Sequence, residues 1–200
     1  QFLANAKLPS GESIESFINQ QQTKLKTASP IETPVILKSM RDAILSAEIP
    51  ADVLNPILNA LKKEFGDQPI KLKFRSSSNA EDLKGFNGAG LYDSKGARWP
   101  DVALVSVAIK TVWSSVFNER AYLARKQFGI NESSVGMGVL MQKAYKGELA
   151  NGVSILKLIG EDNFVSEITG FPGEDLEVTA APANVIPETM LVQKPYSPEE

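Results

Sequence analysis

The sequence predicts an α+β fold, with an antiparallel sheet and helices packed on one side of it. Two observations carry this prediction. Helical periodicity fills the first third of the chain and the stretch from Pro100 to Phe128, whereas strand-length apolar runs occupy residues 70–75 and most of the chain after residue 135. Strands and helices are also segregated along the chain and do not alternate, which favours an antiparallel over a parallel sheet.

Three amphipathic helices are predicted before residue 66. Ser10 is a candidate N-cap for the first, and Pro30 ends that region. Thr33-Pro34 and Asn55-Pro56 each place a capping side chain before a proline, the pattern typical of a helix start. Gly66 suits the exit of the third helix.

A strand and a long loop are predicted next. Residues 70–75 alternate strictly, so that Ile70, Leu72 and Phe74 face the core and two lysines and Arg75 face the other way. Residues 76–96 contain many small polar residues and several glycines. We expect a loop there, and loops of that length in compact domains are usually functional or disordered.

The rest of the chain predicts one long helix followed by several strands. The helix runs from Pro100 to Phe128, with basic residues in its C-terminal half, where they suit the negative end of the helix dipole. Short apolar or alternating runs broken by Gly, Asn and Asp then predict four strands, at Val135–Tyr145, Val153–Ile159, Asn163–Thr169 and Met190–Gln193.

Composition excludes several classes of function. The net charge of −3 disfavours a general nucleic-acid binder. The chain has no Cys and no His, which removes disulfides, thiolate or imidazole metal sites, a Ser-His-Asp triad and a phosphohistidine. No apolar run has the length of a transmembrane helix. We therefore expect no nucleic-acid or membrane partner and a cytoplasmic setting; the start at Gln1, without Met, indicates a piece of a longer protein.

One stretch has residue types that suit phosphate chemistry. Arg75 leaves the strand and is followed by three serines, an acidic pair and a glycine-rich turn. Arginine grips two phosphate oxygens at once, serines add neutral donors, and glycines let the backbone approach an anion closely. No Gly-Lys-Ser/Thr follows, so this is not a P-loop. A polar surface loop capped by Asn79 and Asp82 is an equally good interpretation of residue types alone.

The order of residues resembles a known family. Arg-Ser-Ser-Ser-Asn-Ala-Glu-Asp-Leu (75–83) and Gly-Phe-Asn-Gly-Ala-Gly-Leu-Tyr (85–92) resemble the nucleotide-binding domain of phosphoenolpyruvate synthase and pyruvate phosphate dikinase. Rifampin phosphotransferase and the glucan-water dikinases are similar there. The resemblance continues through residues 112–121, 139–144, 150–153, 173–176 and 186–188, and so spans about residue 70 to residue 193.

This resemblance implies an ATP-grasp-like fold that holds ATP between two subdomains. It divides the chain into an N-terminal helical segment, residues 1–68, and a partial ATP-binding domain, residues 69–200. Arg75 takes the catalytic position that contacts the ATP phosphates. The other expected nucleotide contacts are Ser76, Ser77, Gly88 and Gly90 at the phosphates and Gln142, Lys143 and Ala144 at the adenine hinge.

The chain also departs from the family pattern. The family's N-terminal glycine-rich segment with its lysine is not recognisable before residue 70, and the terminal acidic metal ligands and Gln-Thr-Arg run are missing. The Mg²⁺ ligands are therefore expected outside this chain, and Glu174 and Asp175 are interpreted either as metal ligands of the complete protein or as a polar turn. The phosphohistidine domain must be a separate partner, because this chain has no His.

The expected function is the ATP-binding portion of a phosphoenolpyruvate synthase-like phosphotransferase, which passes phosphate from ATP to a histidine and on to pyruvate or a related acceptor. As an isolated chain it is expected to bind ATP weakly and not to turn over. The alternatives are a non-catalytic nucleotide-binding or regulatory module and a glucan-water dikinase-like phosphotransferase.

Four charged residues keep two interpretations each. Glu81 and Asp82 either serve the site, by orienting Arg75 or assisting a metal, or cap the loop. Arg120 and Arg125 either form a phosphate-facing patch or make salt bridges to the acidic loop.

Overall fold

The structure is a computed structural model that describes residues 2–83, 86–88, 90–145, 149–159, 163–173 and 185–195. The predicted α+β class with antiparallel sheets is confirmed. The chain forms two compact units, residues 1–144 and 145–200. Both sides of the predicted boundary at residues 68/69 lie in the first unit, and that boundary stays a prediction about family domains.

Four helices open the first unit, and their starts differ from the predicted ones. They are α1 (Phe2–Asn5), α2 (Ile14–Leu25), α3 (Glu32–Ser46) and α4 (Ala51–Phe65). Ser13, and not Ser10, caps α2. A reciprocal pair of hydrogen bonds between Ser29 and Glu32 begins α3, ahead of the predicted Thr33-Pro34 start.

The fourth helix begins five residues before the predicted Asn55-Pro56 start. Pro56 lies inside α4, where its ring removes one N–H from the helical ladder. The helix starts at a different proline: Pro50 occupies the N-cap position, and its carbonyl accepts from the N–H groups of Val53 and Leu54. Gly66 follows the last helical residue, as predicted.

A three-stranded antiparallel sheet forms the centre of the first unit. Its order is β4 (Lys95–Trp99), β1 (Ile70–Ser78), β5 (Met137–Lys143). The predicted strand at residues 70–75 is thus confirmed and extends to Ser78. Leu72 and Phe74 of β1 are fully buried, as their alternation predicted.

The predicted single helix from Pro100 to Phe128 is two helices. They are α5 (Val102–Ser114) and α6 (Glu119–Gln127), separated by a short 3₁₀ helix at Ser115–Phe117. The hydroxyls of Ser114 and Ser115 donate to the backbone carbonyls of Thr111 and Val112. These side-chain bonds compete with the backbone N–H groups that would bond the same carbonyls in a continuous α-helix. Asn118 is extended and starts α6.

The core of the first unit lies between α5, the N-terminal helices and one face of the sheet. Helix α5 packs on all three strands and on α3. Lys110 of α5 donates to the carbonyls of Leu45 and Ala47, which satisfies the end of α3. The fully buried side chains include Ile14, Leu37, Met40, Leu72, Phe74, Val105 and Val112.

Within the predicted loop at residues 76–96, the structure shows β2 (Asp82–Leu83) paired with β3 (Phe86–Asn87) and the start of β4. The second unit contains an antiparallel sheet of β6 (Ala150–Ile159), β7 (Asn163–Pro172) and β8 (Glu188–Pro195), in that order. These strands confirm the three predicted after residue 150.

In the part of the chain that the structure describes, no helix has both the length and the apolar character needed to cross a bilayer.

Candidate functional site

Arg75 lies on the exposed face of the central sheet. It alternates along β1 with the fully buried Phe74 and with Leu72, so its side chain projects to the side opposite α5. Lys71 and Lys73 share that side. Among the described residues, none forms a hydrogen bond or ion pair with the Arg75 guanidinium.

Neighbouring strands add to this face without adding negative charge. Arg98 of β4 lies opposite Lys71, and Leu140 of β5 lies opposite Arg75. Residues directly opposite each other in an antiparallel pair share one face. Strands β1, β4 and β5 contain no Asp or Glu. We call the surface formed by Lys71, Lys73, Arg75 and Arg98 the basic face.

The predicted adenine-hinge residues lie on the strand beside Arg75. Gln142 of β5 is half-buried and pairs with Lys73, so it lies on the basic face. It is the diagonal neighbour of Arg75, and residues in that relation are typically about 7–8 Å apart. Lys143 is exposed and pairs with Leu72, on the other side of the sheet. The Ala144 N–H donates to the Lys71 carbonyl at 2.8 Å, which continues the ladder one residue past β5.

The serines after Arg75 divide between the two sides of the strand. Ser77 lies on the basic face by alternation, and Ser76 lies on the opposite face. Ser78 is engaged within the protein, because its hydroxyl donates to the Gly136 carbonyl and accepts from the Ala80 N–H. The phosphate contacts expected of Ser76 and Ser77 stay predictions, and the geometry favours Ser77.

Asn79 and Glu81 hold the turn that follows β1. The Asn79 side chain donates to the Ser134 carbonyl at 2.8 Å and accepts from the Gly136 N–H at 2.7 Å. A Glu81 carboxylate oxygen accepts from the Ser78 N–H at 3.3 Å, so Glu81 caps the loop, in agreement with the second interpretation given above. The side chain of Asp82 lies outside the described residues.

The glycine-rich segment packs tightly against this turn. We call residues 86–93 the glycine loop; residue 89 lies outside the described residues. The Gly88 N–H donates to the Glu81 carbonyl at 2.7 Å, and a Cβ at Gly88 would lie 2.9 Å from the Glu81 Cα. Gly88 is therefore required by close packing, and its amide is already engaged. Gly90 has a φ of 75°, the left-handed conformation that favours glycine.

The exit of the glycine loop is bonded to the start of α6. Arg120 Nε donates to the Leu91 carbonyl at 3.2 Å, and its Nη2 lies 3.6 Å from an Asp93 carboxylate oxygen. Asn118 Nδ2 donates to the same Asp93 oxygen at 3.1 Å. Asp93, Asn118 and Arg120 line an open depression of about 580 Å³ together with Arg41, Glu119 and Leu123.

Arg125 and Arg120 do not form one phosphate-facing patch. Arg125 is fully buried and makes a two-point contact with the Glu132 carboxylate, with both N···O distances 2.7 Å. It also donates to the Val116 carbonyl at 2.8 Å and to the Tyr92 hydroxyl at 3.4 Å. Burial by itself lowers the pKa of Arg125, but hydrogen bonding to Glu132 and its charge, with a smaller contribution from Tyr92, outweigh burial and raise that pKa.

A magnesium site does not emerge from the described residues. Among them, no group of three or more acidic side chains is close enough together to hold a metal ion. Mg²⁺ requires near-octahedral oxygen ligation, to which proteins contribute carboxylates. Glu174 and Asp175, interpreted above as metal ligands or a turn, lie outside the described residues.

The interpretation of Arg120 as an ion-pair partner of the loop agrees with its contact to Asp93, but sequence reasoning missed the other contacts that surround the glycine loop. The partner of Arg125 is Glu132, seven residues further along, in the 3₁₀ helix Glu132–Ser134. The ring of Phe86 also meets that of Phe128 edge-on, with centroids 5.2 Å apart. The sequence does show a basic cluster at the end of the predicted long helix and an acidic residue, Glu132, shortly after Gly129. Their spacing alone does not reveal that Arg125 and Glu132 form an ion pair.

Comparison with known protein families gives a match over most of the chain. The profile described as the pyruvate phosphate dikinase AMP/ATP-binding domain matches residues 4–161. The match begins at residue 4 and not near residue 70, so the matched region includes the N-terminal helices, which lie outside the resemblance described above.

Curated relatives point the same way. The chain is 29% identical over 163 residues to a probable phosphoenolpyruvate synthase from Methanothermobacter thermautotrophicus, covering 78% of this chain and 22% of the relative. It is 26% identical to phosphoenolpyruvate synthase from Aquifex aeolicus, covering 78% of this chain and 18% of the relative. It is 31% identical to rifampicin phosphotransferase from Bacillus subtilis, covering 62% of this chain and 14% of the relative. The chain thus spans less than a quarter of the length of these curated relatives.

Proposed function

The chain belongs to the pyruvate phosphate dikinase AMP/ATP-binding domain family, and from that premise we propose that it binds ATP, with the basic face holding the phosphates. In this proposal the chain is the nucleotide-binding portion of a phosphotransferase of the phosphoenolpyruvate synthase type. Arg75 is the central phosphate contact.

One observation carries the proposal. Arg75 is exposed on the central strand of a face that collects cationic side chains from two strands and has no carboxylate on any of its three strands. Surface arginines are commonly neutralised by nearby acids, whereas no described residue bonds the Arg75 guanidinium. A multiply charged anion is the ligand chemistry that such a surface favours.

The chemistry of these residues suits phosphoryl transfer. A guanidinium donates two parallel hydrogen bonds to phosphate oxygens, and flanking cations stabilise charge that spreads over the transferred group. Electrostatic stabilisation of this kind is usually the largest contribution to such catalysis. Gln142, the diagonal neighbour of Arg75, is proposed to contact the base, with Lys143 and Ala144 beside it; Gly90 is proposed to contact the phosphates.

Mg²⁺ is not assigned to residues of this chain. The described acidic side chains do not form a site that fits the ion, and the proposed roles of Arg75 and its neighbours do not depend on one. Its ligands are expected from residues outside the described part of the chain or from the rest of the parent protein.

This chain has no His, so a phosphohistidine would have to belong to another part of the parent protein. We propose a phosphohistidine domain of the parent protein as the partner, with pyruvate or a related compound as the final acceptor. A rifamycin-type acceptor is the second candidate, because identity to two rifampicin phosphotransferases of Bacillus species reaches 31% and 34% over the matched segments.

The proposal is tested by mapping ATP binding on the chain with NMR. Backbone amide signals are followed while ATP is added, a method that detects weak binding. We expect the largest shifts in β1 and β5, at residues 71–77 and 139–144, and at Gly90. Adding AMP should shift β5 while leaving β1 nearly unchanged, because AMP lacks the β- and γ-phosphates.

Shifts confined to helices α2–α4 would contradict the proposal. Shifts at the proposed residues, combined with no phosphoryl transfer in the full-length parent protein, would instead support the alternative of a non-catalytic nucleotide-binding or regulatory module.

A further inference from the structure

The glycine loop is attached at both ends to one short segment, residues 118–128. At its entry, the Phe86 ring packs on the Phe128 ring. At its exit, the Leu91 carbonyl accepts from Arg120, the Tyr92 hydroxyl from Arg125, and the Asp93 carboxylate from Asn118. Gly90, the expected phosphate contact, lies between these attachments.

The exit attachments are exposed, which separates them from the core. Side-chain exposure is 53% for Arg120 and 42% for Asp93. Exposed ion pairs contribute little to the free energy of unfolding, typically about 0–1 kcal/mol. Their effect is therefore expected on where the loop lies, and only weakly on whether the chain folds.

A direct phosphate contact by either arginine of α6 fits the geometry less well. Two nitrogens of the Arg120 guanidinium already face the Leu91 carbonyl and Asp93. The Asp93 carboxylate beside it would repel a triphosphate. Arg125 is fully buried and satisfied by Glu132, Val116 and Tyr92.

We propose that Arg120 and Asn118 are positioning residues that fix the exit of the glycine loop, through Leu91 and Asp93, so that Gly90 meets the ATP phosphates. The inference rests on the proposed function. Neither residue touches ATP; both act through the loop. Preorganising a loop in its bound conformation raises affinity by removing an ordering cost.

Asp93→Ala gives an experiment whose sign separates positioning from direct contact. If Arg120 bound phosphate directly, removing the competing carboxylate would strengthen ATP binding. If Arg120 and Asn118 position the loop, Asp93→Ala removes their shared anchor, and this loss is expected to outweigh the removed charge repulsion at an exposed carboxylate, so that binding weakens. We expect ATP binding to weaken about 2- to 10-fold, the range set by the net value of one hydrogen bond.

Arg120→Met should weaken ATP binding similarly, and Arg120→Lys should recover part of the loss because it keeps one cationic donor. The exposed Lys38–Asp42 pair on α3 supplies matched controls. Lys38→Met and Asp42→Ala remove an exposed cation and an exposed carboxylate from α3, far in sequence from the glycine loop, and should leave ATP binding unchanged.

Amide hydrogen exchange gives a second measurement that needs no ligand. The Leu91 N–H donates to the Gly88 carbonyl at 3.1 Å within the loop. Arg120→Met should speed exchange at Leu91 and leave amides in the middle of β1 unchanged. A loss of fold would instead speed exchange throughout.

The outcomes separate the inference from the proposed function. Tighter or unchanged ATP binding in Asp93→Ala, or unchanged exchange at Leu91 in Arg120→Met, overturns the positioning role while ATP binding by the native chain stands. If the native chain binds no ATP and Arg75→Ala changes nothing, the proposed function itself fails, and the positioning role for ATP falls with it.

Discussion

At the scale of single residues, Gly88 shows how tightly the glycine loop is built. A Cβ there would lie 2.9 Å from the Glu81 Cα and 3.1 Å from its carbonyl oxygen. Both obstacles are backbone atoms, which cannot move aside as a flexible side chain does. Gly88→Ala should therefore lower the free energy of unfolding by about 1–3 kcal/mol, as overpacking of a closed site does, measured by denaturant titration.

Gly96→Ala is the matched control for that substitution. Its new Cβ would meet the Leu72 carbonyl oxygen at 3.8 Å, an ordinary contact. The free energy of unfolding should change by less than about 1 kcal/mol. Equal effects at the two glycines would show that the loop does not pack on Glu81 as described.

Sequence reasoning succeeded at residues whose environment follows from local pattern. The strict alternation of residues 70–75 was enough to predict that the Arg75 side chain lies on the other side of the strand from the buried Leu72 and Phe74. It could not place Arg125, because the burial of a charge depends on a partner brought in by the tertiary fold. Glu132 is that partner, and bidentate geometry with added hydrogen bonds is what makes such burial tolerable.

At the scale of elements, the start of α3 has a pH-dependent cap. Hydrogen bonds from the Ser29 hydroxyl and backbone N–H hold the pKa of Glu32 below its ordinary value of 4.5. The ionised carboxylate thus stabilises the folded chain above that value, and the stabilisation is lost as pH falls through the lowered pKa.

Glu32→Gln tests this cap, because the amide keeps acceptor geometry and loses the charge. The variant should be less stable than the native chain at neutral pH, and the difference should disappear in acid below the lowered pKa. Thermal unfolding at a series of pH values measures it. A stability difference that is the same at every pH would contradict the assignment.

Helix boundaries were the part of the fold that local pattern could not settle. Asn55-Pro56 has the form of a helix start, yet α4 begins at Ala51 and Pro56 lies within it. Asn118 does begin a helix, but its side chain is bonded to Asp93 and not to the helix itself. At α4 a second local start, at Pro50, is used instead. At α6 a tertiary contact takes the Asn118 side chain away from local capping, and a single sequence does not display such a contact.

At the scale of the whole molecule, the two compact units differ in how much apolar surface they bury. The first unit contains the large hydrophobic core. Among the residues after 144 whose side-chain burial the structure describes, Phe171 is the only buried apolar one, and Ile155, Leu156 and Leu191 are exposed. Small units with little burial rarely fold alone.

We therefore predict that a fragment of residues 1–144 unfolds cooperatively, with a midpoint close to that of the whole chain, while a fragment of residues 145–200 shows no cooperative transition. Circular dichroism melting of the two fragments and the whole chain measures this. A cooperative transition in the second fragment alone, or its loss in the first, would contradict the assignment of the core.

The central claim is that the basic face binds ATP through Arg75, and the ATP dissociation constant tests it most directly. Calorimetry compares the native chain with Arg75→Ala and with Lys62→Ala, which removes an exposed cation from α4. A charge-assisted hydrogen bond contributes about 1.5–3 kcal/mol, so Arg75→Ala should weaken ATP binding by about 10- to 150-fold and Lys62→Ala should leave it unchanged. ATP binding to Arg75→Ala that is as tight as to the native chain would contradict the account.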